Sequence, residues 1–85
     1  MPHYLVLALR KPDFDNAVVA PHRAFLDDLR ARGLLELTGG FSDGSGGAYV
    51  LCNVDDLEQA RAIVATDPLA LQDCSELSVH EWNTR

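Results

Sequence analysis

HYLVLALR, residues 3–10, decides the architecture, because it is apolar on both faces of an extended chain. Successive side chains of a strand point to opposite sides, so Leu5, Leu7 and Leu9 share one face and Tyr4, Val6 and Ala8 the other. The run Tyr4–Leu9 is too short to span a membrane as a helix, and it lacks the basic flank and cleavage site of a signal peptide. It reads as a first strand that needs cover on both sides. Helices supply one cover. PHRAFLDDLRARG, residues 21–33, carries His22, Phe25, Leu26 and Leu29 at i, i+3, i+4 and i+7, which is one side of an α-helix. Pro21 suits a first helical position and Gly33 a left-handed C′ residue, so the helix is predicted over 21–32. The preceding Phe14–Ala20 reads as either a short separate turn or a kinked extension.

Beyond Gly33 the pattern changes period. Leu34–Thr38 is predicted as a second strand, GGFSDGSGG (39–47) as a flexible tip, and Ala48–Val54 as a third strand of the same hairpin. Asp55 or Asp56 caps a second helix reaching about Ala65, and Pro68 ends it by disfavouring helical geometry at Asp67. A last strand covers Glu76–Trp82. The order βαββαβ builds an α+β domain: an antiparallel sheet with two helices on one face. The whole chain, residues 1–85, is one domain. Its other sheet face stays bare, although the first strand is apolar on both sides and the third carries Ala48, Val50 and Cys52 opposite Tyr49 and Leu51. Exposed apolar faces of this size are rare in monomers, so the expected cover is a second copy packed by two-fold symmetry, a homodimer.

Composition excludes several partners. A net charge of −6, with only seven Lys and Arg and those scattered, offers no basic stripe for nucleic acid and no attraction to an anionic membrane. With 47% hydrophobic and 24% charged residues the chain is ordinary globular protein, and with no targeting segment it is expected in the cytoplasm. Cys52 reads as a small hydrophobe inside the third strand and Cys74 as a loop thiol, without CxxC spacing. His3, His22 and His80 show no HxH or HxxxH spacing, so neither a metal site nor another cofactor is expected.

Two ionisable residues break the apolar stripes. His22 begins the first, and Asp67 is the next position on the stripe Leu57, Ala60, Val64 of the second helix. An isolated charge buried there costs several kcal/mol or is neutralised, and each residue is the simplest partner for the other. The spacing leaves two readings open. One is a His–Asp dyad for chemistry. The other is a core histidine with one satisfied hydrogen bond and an aspartate folded back on nearby N–H groups at a helix end.

The sequence resembles the YCII-related proteins, small domains of the dimeric ferredoxin-like α/β barrel group. The resemblance is carried by Leu5–Pro12, His22 with Phe25-Leu26 and Gly33, Gly39, the SDGSGGAYV run (42–50), Leu57-Glu58-Gln59-Ala60, Asp67-Pro68 and Trp82. Where the family often has Gly-Pro after the second strand, this chain has Gly39-Gly40. The resemblance implies a ferredoxin-like fold, a dimer, and His22 with Asp67 as the active-site pair.

A carboxylate on one imidazole nitrogen fixes the tautomer and leaves the other as an acceptor, which is a general acid/base arrangement. No nucleophile is evident, since Ser42 and Ser45 lack a strand–turn–helix elbow. The loop reads instead as a lid, making Ser42, Asp43 and Ser45 the candidate substrate contacts. The expected function is proton transfer of isomerase or lyase type on a small oxygenated organic molecule. The alternative is a non-catalytic metabolite-binding or regulatory module in which the pair is structural.

Overall fold

The computed structural model describes residues 2–85. Strand β1 (His3–Arg10) is followed by a 3-10 turn (Asn16–Val18) and helix α1 (Val19–Ala31). Strands β2 (Leu35–Gly40) and β3 (Gly46–Leu51) form a hairpin. Helix α2 (Leu57–Val64), a short helix α3 (Pro68–Leu71) and strand β4 (Ser75–Trp82) complete the chain. The sheet order is β2-β3-β1-β4, with every pairing antiparallel. This is the ferredoxin-like α+β arrangement that the order of elements predicts.

The alternation of β1 sorts the layers. Tyr4 and Val6 are buried with Tyr49 and Leu51 of β3, and the same cluster takes Leu26 and Leu29 from α1 and Ala60 and Val64 from α2. Both helices therefore cover one face. A smaller cluster of Ala8, Val18, Leu69 and Cys74 closes the end near α3. On the opposite face, Leu5 and Leu7 are half-buried, while Leu9, Leu37 and Trp82 are exposed.

Several boundaries differ from the sequence reading, each for a local reason. Helix α1 starts at Val19, continuing from the 3-10 turn, so Pro21 is its third residue. That position is tolerated because the first four N–H groups of a helix have no intrahelical acceptor. At the other end the expected Gly33 stop forms, with φ +74°. Gly33 N donates to the Arg30 carbonyl at 3.0 Å and Leu34 N to the Leu29 carbonyl at 2.9 Å, the double bond of a Schellman cap.

Strand β3 begins inside the loop glycines, earlier than predicted, because Gly46 and Gly47 lie against neighbouring backbone. A Cβ at Gly46, whose φ is +149°, would collide with the Ala8 carbonyl oxygen, and one at Gly47 would lie 2.5 Å from the Gly39 oxygen. The strand stops at Leu51, and left-handed Asn53 (φ 56°) turns the chain. Cys52 therefore sits just past the strand, half-buried, instead of inside it. Cys74 is a free thiol in the connection between α3 and β4, as expected, with its side chain buried in the smaller cluster. Helix α3 is absent from the sequence reading. Asp67 does end α2's stripe, but it also caps a new helical turn with Pro68 at its start.

Candidate functional site

Asp67 is fully buried, with none of its surface exposed. Its extended backbone (φ −63°, ψ 131°), enforced by Pro68, turns the side chain back under α3, where Oδ1 accepts from Leu69 N at 2.9 Å. The same Oδ1 lies 2.8 Å from His22 Nδ1, and Oδ2 accepts from the Tyr49 hydroxyl at 2.9 Å. Three donors from α1, β3 and α3 thus converge on one carboxylate. Such charge-assisted bonds are worth about 1.5–3 kcal/mol each, which offsets the loss of water around the buried charge.

His22 is the fourth residue of α1 and keeps 19% of its side-chain surface exposed. Its ring forms a triangle with Phe25 and Tyr49, whose centroids are 6.4 Å and 5.9 Å from it and 6.2 Å from each other. An ionised carboxylate only accepts; facing one, Nδ1 is the donor, and Nε2 of a neutral imidazole keeps its lone pair. Tyr49 is held in the donor role too. Burial first, then the Asp67 charge and hydrogen bond, push its phenol far above the ordinary value.

The imidazole lines a cleft of about 310 Å³. Ala8, Phe14, Leu26 and Leu69 supply apolar walls, Gly39, Gly40, Gly46 and Gly47 the hairpin side, and Arg10, Arg23, Thr38 and Ser75 polar groups. Such a concavity with a few converging polar groups is what small-molecule sites share. Among the described residues no three His, Cys, Asp or Glu side chains are grouped to hold a metal ion.

The structure brings His22 and Asp67 into direct contact, and it places the other three candidates elsewhere. Ser42, Asp43 and Ser45 are exposed in the hairpin tip and do not line the cleft. Asp43 is spent locally, accepting from Ser45 N at 2.9 Å, and hydrogen bonding from the Ser45 side chain and then its backbone holds the carboxyl below the usual range. The loop touches the cleft through its glycine backbone. Tyr49 was missed from the sequence, although strand alternation puts it on the helix-covered face beside Leu51. A hydroxyl buried there needs a partner, and that signal was available.

The fold and this cleft define a small α+β domain with a buried His–Asp–Tyr network opening on a ligand-sized concavity. A model of the YCII-related domain matches residues 3–83, so the chain belongs to the YCII-related family. It is 44% identical over 82 residues to the uncharacterized protein YjpA of Bacillus subtilis (strain 168), covering 96% of this chain and 95% of that protein. Its fold is similar to that of 5-chloro-2-hydroxyhydroquinone dehydrochlorinase (TftG) from Burkholderia phenoliruptrix AC1100, solved in complex with 2,5-dihydroxybenzoquinone. That match has a TM-score of 0.73 and 15% identity, and covers 98% of this chain and 95% of that one.

Proposed function

We propose that this domain is a small dimeric enzyme in which His22 is the general acid/base and Asp67 holds its ring. The reaction is a proton transfer of isomerase or lyase type on a small oxygenated organic molecule. The observation that carries this is the 2.8 Å contact between His22 Nδ1 and a fully buried Asp67, on an imidazole that lines a cleft. A base with one nitrogen committed and the other left as an acceptor is arranged to take a proton from a bound molecule. The dehydrochlorinase with the same fold is named for an elimination on a small hydroxylated ring, a reaction of this class. Ser42, Asp43 and Ser45 belong in this reading to the rim of the site, beside the glycines that line its mouth.

The second copy belongs on the bare sheet face, where Leu9, Leu37 and Trp82 keep 45%, 59% and 45% of their surface exposed. A domain of this size gains much from burying them. Unpaired Cys52 and Cys74 fit a reducing cytoplasm. No described helix is long and apolar enough to cross a membrane. We assign neither nucleic acid nor membrane as a partner, given the net charge of −6.

Asp67 also caps α3, which is what a purely structural pair would do. The test therefore separates the two roles. Nitrogen NMR of the imidazole should show the Nδ1–H tautomer of His22 at neutral to mildly alkaline pH. Turnover of a panel of small hydroxylated rings and enolisable carbonyl compounds, beginning with 5-chloro-2-hydroxyhydroquinone, should vanish in His22→Ala and His22→Asn. An Nε2–H tautomer, or turnover that survives His22→Ala, overturns the assignment. A protein that binds members of the panel and converts none is the non-catalytic binding module.

A further inference from the structure

The chain is acidic, with thirteen Asp and Glu against seven Lys and Arg, yet none of those carboxylates lines the His22 cleft. Its lining charges are two guanidiniums, Arg10 from the end of β1 and Arg23 from α1. Asp67 stands behind His22 and Tyr49, with its charge answered by three donors. Asp13 and Asp15 line a different cavity.

The two arginines are also uncommitted. Among the described residues the Lys and Arg side chains within 4.0 Å of a carboxylate are Lys11 with Asp73, Arg30 with Asp27 and Arg32 with Asp28. Arg10 instead lies over the Phe14 ring, 4.3 Å from its centroid. Stacking on an aromatic ring leaves the in-plane N–H edge of a guanidinium free, and that edge is the fork that fits a carboxylate. Where acids outnumber bases almost two to one, a cleft lined by two unpaired cations and no anion is a selective feature. It concentrates anions at its mouth, against the net negative charge of the rest of the chain.

We propose that the molecule bound beside His22 is a small organic acid, with its carboxylate held at the rim by Arg10 and Arg23. This rests on reading the cleft as the ligand site and adds the ligand's charge. Arg10 and Arg23 are binding and orienting residues. They fix one end of the acid so that the rest reaches past them to the imidazole between the apolar walls.

The test is calorimetric titration at low and at physiological salt with salicylate and lactate, each paired with its neutral amide, salicylamide and lactamide. At least one acid should bind roughly tenfold or more tighter than its amide, as expected for charge-assisted bonds to guanidinium. The preference should shrink as salt rises. Arg10→Gln and Arg23→Gln should each lose about tenfold for the acid and little for the amide, and the double variant should bind both alike. Both side chains are exposed, so melting should not change. Equal binding of acid and amide, an acid preference that survives in the double variant, or no acid binding at millimolar concentration overturns the proposal. The readout is binding, so it fails separately from the catalytic reading. Acid preference in a protein whose His22 has the wrong tautomer retires the enzyme and keeps the anion site. The right tautomer without acid preference does the reverse.

Discussion

Toward the helices, Tyr4, Val6, Tyr49 and Leu51 keep at most 2% of their surface, whereas on the far side of the same sheet Leu9, Leu37 and Trp82 keep 45–59%. The two faces differ in chemistry as well as in cover. Beneath the helices, polar groups are buried and paired: among the described residues no buried side-chain nitrogen or oxygen lacks a partner. The Tyr49 hydroxyl, Asp67 and His22 form one connected network there. The bare face is carpeted by leucines of β1 and β2, and its polar contacts lie at the margin, as where His3 Nε2 is 3.7 Å from Glu36. One face therefore carries a buried polar network beside a cleft, and the other leaves large apolar side chains exposed. The way to break this contrast is to damage each face and compare what is lost.

The largest effect is expected at Asp67. Asp67→Ala uncaps α3, strands the buried Tyr49 hydroxyl and leaves His22 without its partner in one step. Removing one member of a buried charged network costs about 3–5 kcal/mol. Urea denaturation should show a midpoint lowered accordingly, with an unchanged slope. His22→Ala leaves the carboxylate two of its three donors and should cost clearly less. A loss as large as that of Asp67→Ala would make His22 primarily structural.

Tyr49→Phe comes next, at about 1–3 kcal/mol, the usual range for leaving a buried acceptor one partner short. It carries a pH signature as well. The folded state holds the Tyr49 proton more tightly than the unfolded chain, whose phenol titrates near 10. Its contribution is fully present below that pH. It is lost as pH rises further, because unfolding then releases a proton, by up to about 1.4 kcal/mol per pH unit. Tyr49→Phe should flatten this alkaline decline in stability. An unchanged slope would mean that the hydroxyl is not buried against Asp67.

Much of the covered face was legible in the sequence because periodicity reports burial. His22 and Asp67 stood out as ionisable residues on apolar stripes, and Gly33 marked its helix end through a backbone conformation that few other residues adopt. What escaped has the opposite character. Tyr49 alternates like any core residue, so the period that located it also concealed its hydroxyl. Helix α3 is a single turn, too short for a 3.6-residue period to register, and is held by a cap and a proline. Arg10 and Arg23 are far apart in sequence and read as scattered charge until β1 and α1 bring them to one cleft. The hairpin glycines looked like a loose tip, yet Gly46 and Gly47 are strand residues fixed by close backbone approach.

Gly46→Ala tests that last point on the boundary between the two faces. A methyl group there meets the Ala8 carbonyl, and the φ of +149° is one that residues with a Cβ rarely adopt. The substitution should cost on the order of 1–3 kcal/mol and pull the hairpin away from β1 at the cleft mouth. Amide exchange should then quicken at Arg10, whose N–H donates to the Ser45 carbonyl at 2.9 Å. Exchange unchanged at Arg10 would show that the strand end tolerates a side chain.

The smallest effect on the fold itself belongs to the bare face, and it separates the faces most sharply. Leu37 is 59% exposed and pairs across the ladder with Val50, whose neighbours on that face are the β1 leucines. Within one chain Leu37→Ser removes little packing, so stability measured at high dilution should change by no more than about 0.5 kcal/mol. Association is where it should act. If a second copy covers this face, wild-type melting rises with protein concentration, because a partner that binds only the folded chain stabilises it by mass action. Leu37→Ser should weaken that dependence and shift sedimentation toward the 9.3 kDa protomer. The double substitution Leu7→Glu with Leu37→Ser should abolish association outright, since a carboxylate at the centre of an apolar contact has no partner there. A concentration-independent melting temperature in the wild type, with a single 9.3 kDa species at micromolar concentration, would leave the bare face exposed to water and remove the dimer from the proposed function.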